Sequence, residues 1–158
     1  MHTGLGLLLI TKKGMITDNT QNHRDGIIAL LKAERLPTQD LPDILENFIV
    51  ALQDEDVIGV AGLEIYGDYG LFRSLAVHKQ FRNKGIAQNL MQQIEVLANK
   101  QQLHELYLLT ETAPDYFERN GYQKISRDEV PVIVQQSAEF SEVCPQSAIV
   151  MKKSINHL

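Results

Sequence analysis

The stretch LFRSLAVHKQFRNKGIAQNLMQQIEVL, Leu71 to Leu97, decides the fold. It opens on a short apolar run, Leu71 to Val77, that reads as a strand. From Gly85 the spacing changes. Ile86, Leu90, Ile94 and Leu97 recur at three and four residues, flanked by Ala87, Met91 and Ala98. That spacing predicts an amphipathic helix from Gly85 to about Gln101 with a wide apolar stripe. Glu105 to Thr110 is the next apolar run. Strand, helix, strand in this order implies a right-handed crossover and a parallel pair.

Toward the N-terminus, Val57 to Tyr66 and Phe48 to Leu52 read as strands, with Asp54-Glu55-Asp56 as a polar turn between them. Gly67-Asp68-Tyr69-Gly70 reads as a turn with two glycines. Three consecutive strands with short turns predict an antiparallel meander. Before them, Ile27, Ile28, Leu30, Leu31 and Ala33 predict a helix over Asp25 to Arg35, stopped by Leu36-Pro37-Thr38. The apolar run Leu5 to Ile10 is far shorter than the ~18 residues that span a bilayer. Lys12 and Lys13 follow it instead of preceding it, so it is a poor signal peptide and a better buried first strand. Met15 is an alternative start, in which case the residues before it are an addition. Toward the C-terminus, Ala113 to Arg119 reads as a short helix, with Thr112 as its cap, Pro114 in its first turn and Asn120-Gly121 at its end. Tyr122 to Ser126 reads as a strand, Pro131 to Val143 as holding a helix, and Ser147 to Lys152 as a last strand that could pair across a homodimer. The expected fold class is α/β: one domain over residues 1–158, a mixed sheet with helices on both faces.

The chain has 158 residues, 44% hydrophobic and 22% charged, with a net charge of -5. That size carries a core without staples. The acidic balance argues against nucleic acid and against anionic membrane surfaces. A single cysteine, Cys144, excludes an intrachain disulfide, and no Cys/His cluster has zinc spacing, so no metal is expected. A reducing, cytoplasmic setting follows most simply.

The helix opening at Ile86 carries Arg82-x-x-Gly85-x-Ala87 in its first turn. Amides at a helix start are unpaired and lie at the positive end of the dipole. Small residues at Gly85 and Ala87 let a pyrophosphate approach the backbone, and Arg82, Lys84 and Lys79 add positive charge. The plainer alternative is an ordinary capped helix with a solvated basic turn. Neither the Walker loop nor the Gly-x-Gly-x-x-Gly fingerprint is present, which disfavours nucleotide hydrolysis and dinucleotide binding.

Leu75-Ala76-Val77, then Phe81-Arg82-x-x-Gly85-x-Ala87, then the long helix, resemble the acetyl-CoA motif of the GNAT superfamily. Leu106 to Thr110 and Tyr116-Phe117-Glu118-Arg119-Asn120-Gly121-Tyr122 extend the resemblance, which covers about Asp25 to Ser126. LPTQDL at Leu36 to Leu41, GLEIYGDYGLFRSLAV at Gly62 to Val77, ELYLLT at Glu105 to Thr110 and the EF and CP segments near the C-terminus resemble the branch associated with arsenic resistance. The resemblance implies that the two strands of the parallel pair splay apart and that acetyl-CoA lies in the gap. The pantetheine arm would then pair with backbone at Leu75 and Val77, beside Ala76. The pyrophosphate would sit on the amides of Arg82, Asn83, Lys84, Gly85, Ile86 and Ala87. Thr110 and Glu111, ending the second splayed strand, would lie near the thioester, Phe117 would be among the residues that bind the cofactor, and a backbone N–H of the first splayed strand would stabilise the oxyanion.

The chain departs from that family at one point. Many members have Tyr four residues before Gly121, to protonate the leaving thiolate; here the residue is Phe117. Tyr116 precedes it, but neighbouring helix residues point about 100° apart. A thiol with a pKa of about 8.5 can leave without full protonation, and Tyr107 or Tyr122 are other donors. Glu64 and Arg73 flank the hairpin and share a face of the sheet for a loop of two or of four residues. Glu64 is then a candidate general base, and Arg73 a fork for an anionic group on the acceptor. The plainer alternative for the two is a cross-strand ion pair worth at most about 1 kcal/mol. His2, His23, His78, His104 and His157 are scattered, with His78 alone beside the cofactor strand. Cys144 reads as packing. Trivalent arsenic favours several thiolates, which one cysteine cannot supply, so an enzyme acting on an arsenical amino acid is a better fit than sequestration. The expected activity is acetyl transfer from acetyl-CoA to the amine of a small molecule, amino-acid-like or a phosphinic or arsinic amino acid, in a ternary complex. The alternatives are a non-catalytic acetyl-CoA sensor and a protein-modifying acetyltransferase.

Overall fold

Three largely buried runs joined by two two-residue turns build the centre of the sheet. β3 (Phe48–Gln53), β4 (Asp56–Tyr66) and β5 (Tyr69–Val77) pair antiparallel in sequence order, as the meander predicted. The structure, a computed structural model, describes residues 7–11, 14–143 and 145–155. Cys144, His2, His157, Lys12, Lys13 and the first two residues of the Leu5 to Ile10 run lie outside them. Two strands precede the meander, β1 (Leu7–Thr11) and β2 (Gly14–Thr17), and β2 had no counterpart in the sequence reading. The turn between β4 and β5 is shorter than its two glycines predicted. Only Gly67 and Asp68 form it, and Tyr69 pairs with Tyr66. Gly70 belongs to β5, where a Cβ would meet Leu106, Leu63 and Leu103 within 2.9 Å.

β6 (Glu105–Thr110) joins β5 in parallel after the crossover helix α2 (Ile86–Lys100). The remaining elements are α1 (Arg24–Ala33), α3 (Pro114–Arg119), β7 (Gln123–Ile125), α4 (Val132–Gln135) and β8 (Ile149–Ser154). The sheet order is β1-β2-β3-β4-β5-β6-β8-β7. β8 is therefore paired on both sides, with β6 and with β7, so the last strand is spent inside the chain and does not pair across a dimer. Thr112 does not cap α3. The N-cap is Ala113, and its N–H donates to Thr110 Oγ1 at 3.1 Å. The helix expected within Pro131 to Val143 is split into the single turn α4 and a wide turn over Glu139–Val143. Ser137 stands between them: its hydroxyl accepts the Phe140 N–H at 3.3 Å, offering the backbone an alternative to continuing α4.

Side chains alternate across the strands. Ile49, Ala51, Ala61, Leu63 and Phe72 meet α2 on one face through Ile86, Leu90, Ile94 and Leu97. Gly59 permits this approach, because a Cβ there would lie 3.0 Å from Leu90 and 3.2 Å from Ile86. On the opposite face, Phe48, Val50, Leu52, Val60 and Ala76 pack on Ile27, Leu30 and Leu31 of α1. A further cluster, Leu71, Tyr107, Val150, Val134 and Phe140, covers the far side of the same face. Arg73 sits between these two clusters in the sequence of β5.

Two features shape the site. The β5–β6 ladder runs only through Tyr69↔Glu105, Gly70↔Leu106 and Leu71↔Tyr107. Beyond it β5 continues to Val77 against β4, and β6 continues to Thr110 against β8. Among the described residues the two strands part there and leave a wedge. At the same place β5 bulges. Val60 faces Ala76 while Gly62 faces Arg73, so Ser74 and Leu75 stand opposite Ala61 alone. Ser74 takes the left-handed conformation, φ 63°. An inserted residue bends and twists its strand, which carries the end of β5 away from β6.

Candidate active site

The loop after β5 is built by backbone conformation. His78 Nδ1 accepts the Gln80 N–H at 3.1 Å and starts a tight turn over Lys79–Phe81. Asn83 and Gly85 are left-handed, at φ 64° and 81°. Gly85 is the N-cap of α2 and supplies no side chain there; the Asn89 N–H donates to its carbonyl at 3.0 Å. The amides of Ile86, Ala87 and Gln88 have no acceptor of their own within the helix. A Cβ at Gly85 would meet nothing within 4 Å, so this helix start faces open space. Arg82, Asn83, Lys84 and Gly85 are exposed, whereas Ile86 is buried and roots the helix. Arg82 is not free: Nε donates to Val77 O at 3.3 Å, and Nη2 pairs with Glu34 just past α1. Leu75, Ala76 and Val77 follow the bulge toward this loop, half-buried to buried.

Across the wedge, Thr110 ends β6, buried, with its hydroxyl on the Ala113 amide. Phe117 is buried edge-on to Phe72 (6.2 Å) and Tyr122 (5.7 Å). Two of the expected alternative donors are committed elsewhere. Tyr107 donates to Glu105 at 2.7 Å and Tyr122 to Glu95 at 3.2 Å. Burial, with the neighbouring carboxylate, holds both phenols well above their ordinary range. Glu95 in turn takes Lys153 at 3.0 and 3.1 Å. The Tyr116 hydroxyl is buried and has no hydrogen-bond partner among the described residues. Burial raises its pKa, with Arg119 pulling the other way.

Glu64 and Arg73 meet, as their shared face predicted: Nη1 donates to Glu64 Oε2 at 3.0 Å. They are not an isolated pair. Asp40 takes the guanidinium as a fork, with Nη1 and Nη2 donating to Oδ2 and Oδ1 at 2.5 and 2.8 Å. Nε donates to Ser74 Oγ at 3.1 Å and lies 3.5 Å from Glu139 Oε1. The Arg73 side chain is wholly buried, as nearly are Asp40 and Glu139; Glu64 is 21% exposed and is the member that faces outward. Tyr66 donates to the other Glu64 oxygen at 2.7 Å. Burial pulls the guanidinium pKa down, but the Asp40 hydrogen bond and the Glu139 and Glu64 charges outweigh it and hold Arg73 above its ordinary value. Burial pushes Glu139 up to about 7, against Arg73 and with help from Glu64 and Asp40. Tyr66 is raised by burial and then by Glu64. Neither Asp40 nor Glu139 was singled out from the sequence, although both lie in segments that carried the subfamily resemblance. His78 serves its own turn, edge-on to Phe81. Among the described residues no group of three or more His, Cys, Asp or Glu is placed to hold a metal, and no helix is long and apolar enough to cross a membrane.

Known proteins share this fold. The acetyltransferase (GNAT) domain family matches residues 45–124. An uncharacterized N-acetyltransferase of Chlorobaculum tepidum is 31% identical over 94 residues, 59% of this chain and 60% of that protein. An amino-acid acetyltransferase of Edwardsiella ictaluri is 27% identical over 119 residues, 70% of this chain and 27% of that protein. The chain thus spans less than two thirds of either curated relative. Among solved structures, a Mycobacterium tuberculosis protein crystallised with CoA superposes with a TM-score of 0.75 at 21% identity, over 89% of this chain and 99% of that one. N-acetylglutamate synthase of Neisseria gonorrhoeae, solved with CoA and N-acetyl-glutamate, gives 0.72 at 19% identity, over 92% of this chain and 34% of that one. With the mixed sheet, the bulged and parted strands and the family match over half its length, the chain belongs to the GNAT acetyltransferase domain family.

Proposed function

We propose that the protein transfers the acetyl group of acetyl-CoA to the amine of a small molecule. The observation that carries this reading is the wedge: parallel pairing that stops at Leu71 and Tyr107, beside a bulge, and opens toward a bare helix start. Strand edges from Leu75 to Val77 offer backbone groups to an amide-bearing arm. The amides of Ile86 and Ala87, with Gly85 and Lys84 exposed beside them, fit a pyrophosphate. Three structural neighbours were solved with CoA, which supports acetyl-CoA as the ligand.

Acetyl-CoA supplies an activated acyl group at the mouth of the wedge. The free amine of the acceptor attacks the thioester carbonyl; a C–N bond forms, the C–S bond breaks, and the thiol leaves as thiolate. A β5 backbone N–H near the bulge stabilises the charge on the carbonyl oxygen. Glu64 takes the amine proton. Tyr66 and Arg73 each occupy one of its oxygens, which fixes the carboxylate and leaves lone pairs to accept. Arg73 orients Glu64 as the cluster stands, and grips an anionic group of the acceptor only where Asp40 yields the fork. An amino-acid-like acceptor, including phosphinic or arsinic amino acids, fits that fork, in line with the resemblance to the arsenic-resistance branch. A cytoplasmic setting belongs to the same proposal.

A second reading, a non-catalytic acetyl-CoA sensor, is favoured by one observation: Phe117 is sealed among aromatic rings and carries no hydroxyl. Calorimetric titration with acetyl-CoA, followed by thiol release over a panel of amines, separates the two. Transfer predicts binding and release with one class of amine, and Glu64→Gln should cut release about 10²- to 10⁴-fold with binding unchanged. Binding without release on any amine selects the sensor. Full release by the variant removes Glu64 from the reaction.

A further inference from the structure

The connection between α1 and β3 touches both halves of the site. It leaves α1 through Glu34 and Arg35 and enters β3 after Asn47; Arg35 and Asn47 are both left-handed, at φ 61° and 62°. No helix or strand lies between them. Leu36, Leu41 and Leu45 pack into the α1-side core, and Arg24 donates to the Pro42 and Asp43 carbonyls at 2.6 and 3.1 Å. The connection is therefore an ordered strap with a left-handed residue at each end: Arg35 closes α1, where the Leu36 N–H donates to Leu31 O at 2.9 Å, and Asn47 O accepts the Leu63 N–H at 2.9 Å. Its two inward-reaching carboxylates take the two arginines that flank the bulged end of β5. Glu34 pairs with Arg82 of the cofactor loop, and Asp40 forks Arg73 beside Glu64.

The two ties differ in strength. The Arg82 side chain is 50% exposed, so its pair with Glu34 is screened and easily exchanged. The Asp40 fork is buried and charge-assisted. A pyrophosphate on the amides after Arg82 brings two negative charges to the one arginine Glu34 holds. We propose that Glu34 and Asp40 make residues 34–47 a carboxylate strap: the cofactor's phosphates displace Glu34 from Arg82, the strap relaxes, and Asp40 loosens its hold on Arg73 and Glu64. Glu34 and Asp40 are positioning residues. They couple occupancy of the cofactor loop to the readiness of the acceptor side. The inference rests on the acetyl-CoA reading of the loop. Linkage makes the coupling reciprocal: whatever loosens the strap must tighten the cofactor.

Hydrogen exchange of the whole protein with and without saturating CoA tests this, on wild type, Glu34→Gln and Asp40→Asn, with CoA affinity measured by calorimetry on each. In wild type, CoA should speed exchange of the amides within 36–46. Glu34→Gln should show the faster exchange without CoA, gain little more on its addition, and bind CoA about two- to fivefold more tightly, the range of an exposed ion pair. Asp40→Asn should also tighten CoA; where that buried change unfolds the protein, Glu34→Gln alone decides. CoA that binds while exchange in 36–46 stays the same or slows overturns the strap, as does Glu34→Gln with unchanged or weaker CoA affinity. CoA that does not bind wild type overturns the cofactor reading itself, and the strap with it.

Discussion

From His78 to Ala87 backbone groups are on offer beside the exposed side chains of Lys79, Arg82 and Lys84: left-handed Asn83 and Gly85, helix-start amides, and an opening that a Cβ would not fill. Around Arg73 they are side chains, three carboxylates and a guanidinium drawn from β4, β5, the strap and the β7–β8 connection, nearly all of them buried. The first region is solvated, and apart from the Arg82–Glu34 pair each part answers to its neighbours in sequence. The second is long-range and dry, and each charge is tolerable only because the others are there. Damage should therefore stay local in the loop and spread through the fold at the cluster.

The largest effect should come from Arg73→Ala. It strands three carboxylates around a buried vacancy, and removing one partner of a buried ion pair costs about 3–5 kcal/mol. Chemical denaturation at pH 7.5 checks this. The loss should shrink at pH 5, where Glu139, raised to about 7 by burial in the wild type, already carries a proton. A loss under 1 kcal/mol would mean that the cluster rearranges as freely as a surface pair, and the contrast between the two regions would collapse.

Glu139→Gln should act the other way. Its folded pKa of about 7 stands above the ordinary 4.5, so the folded state holds a proton that the unfolded chain has lost between those values. Below pH 4.5 both states are protonated and the carboxyl costs nothing. As pH rises from 4.5 to 7 the unfolded state gains, and above 7 the full cost stands, about 3 kcal/mol for a shift of this size. The amide variant carries no such charge. Stability should match wild type at pH 4.5 and exceed it by as much as about 3 kcal/mol at pH 8. Equal stability at both pH values would place the Glu139 carboxylate in good solvation and not in the cluster.

The same contrast explains what the sequence disclosed. The meander, the crossover helix and β6 follow from period alone, because their apolar faces repeat within one element. Arg82 to Ala87 was legible for the same reason: a loop and a helix start are written in adjacent residues. Glu64 and Arg73 were found through hairpin parity, a rule reaching nine residues. Asp40 reaches Arg73 across 33 residues and Glu139 across 66, and no periodicity links them. The bulge was invisible because Ser74 is not a residue that announces a left-handed backbone, as glycine does. The last strand was read as able to pair across a homodimer because nothing local says that it inserts between two earlier ones. Thr112 looked like a cap by position, yet Thr110, two residues earlier, holds the amide instead.

The smallest effect on stability, and the sharpest local one, should come from Gly85→Ala. At φ 81° a Cβ meets no atom, so the cost is conformational alone, about 1–2 kcal/mol. At this chain length that lowers Tm by only a few degrees. The methyl group would stand in the space beside the Ile86 and Ala87 amides, where the pyrophosphate is proposed to lie. CoA affinity should therefore fall by more than the stability does, while the Arg73 cluster keeps its pH dependence. If affinity falls only as far as stability, the alanine has merely loosened a capped helix, and the amides hold no phosphate. If the Glu139 titration moves as well, the loop and the cluster are already coupled without ligand, and the strap between them is tighter than its one exposed ion pair implies.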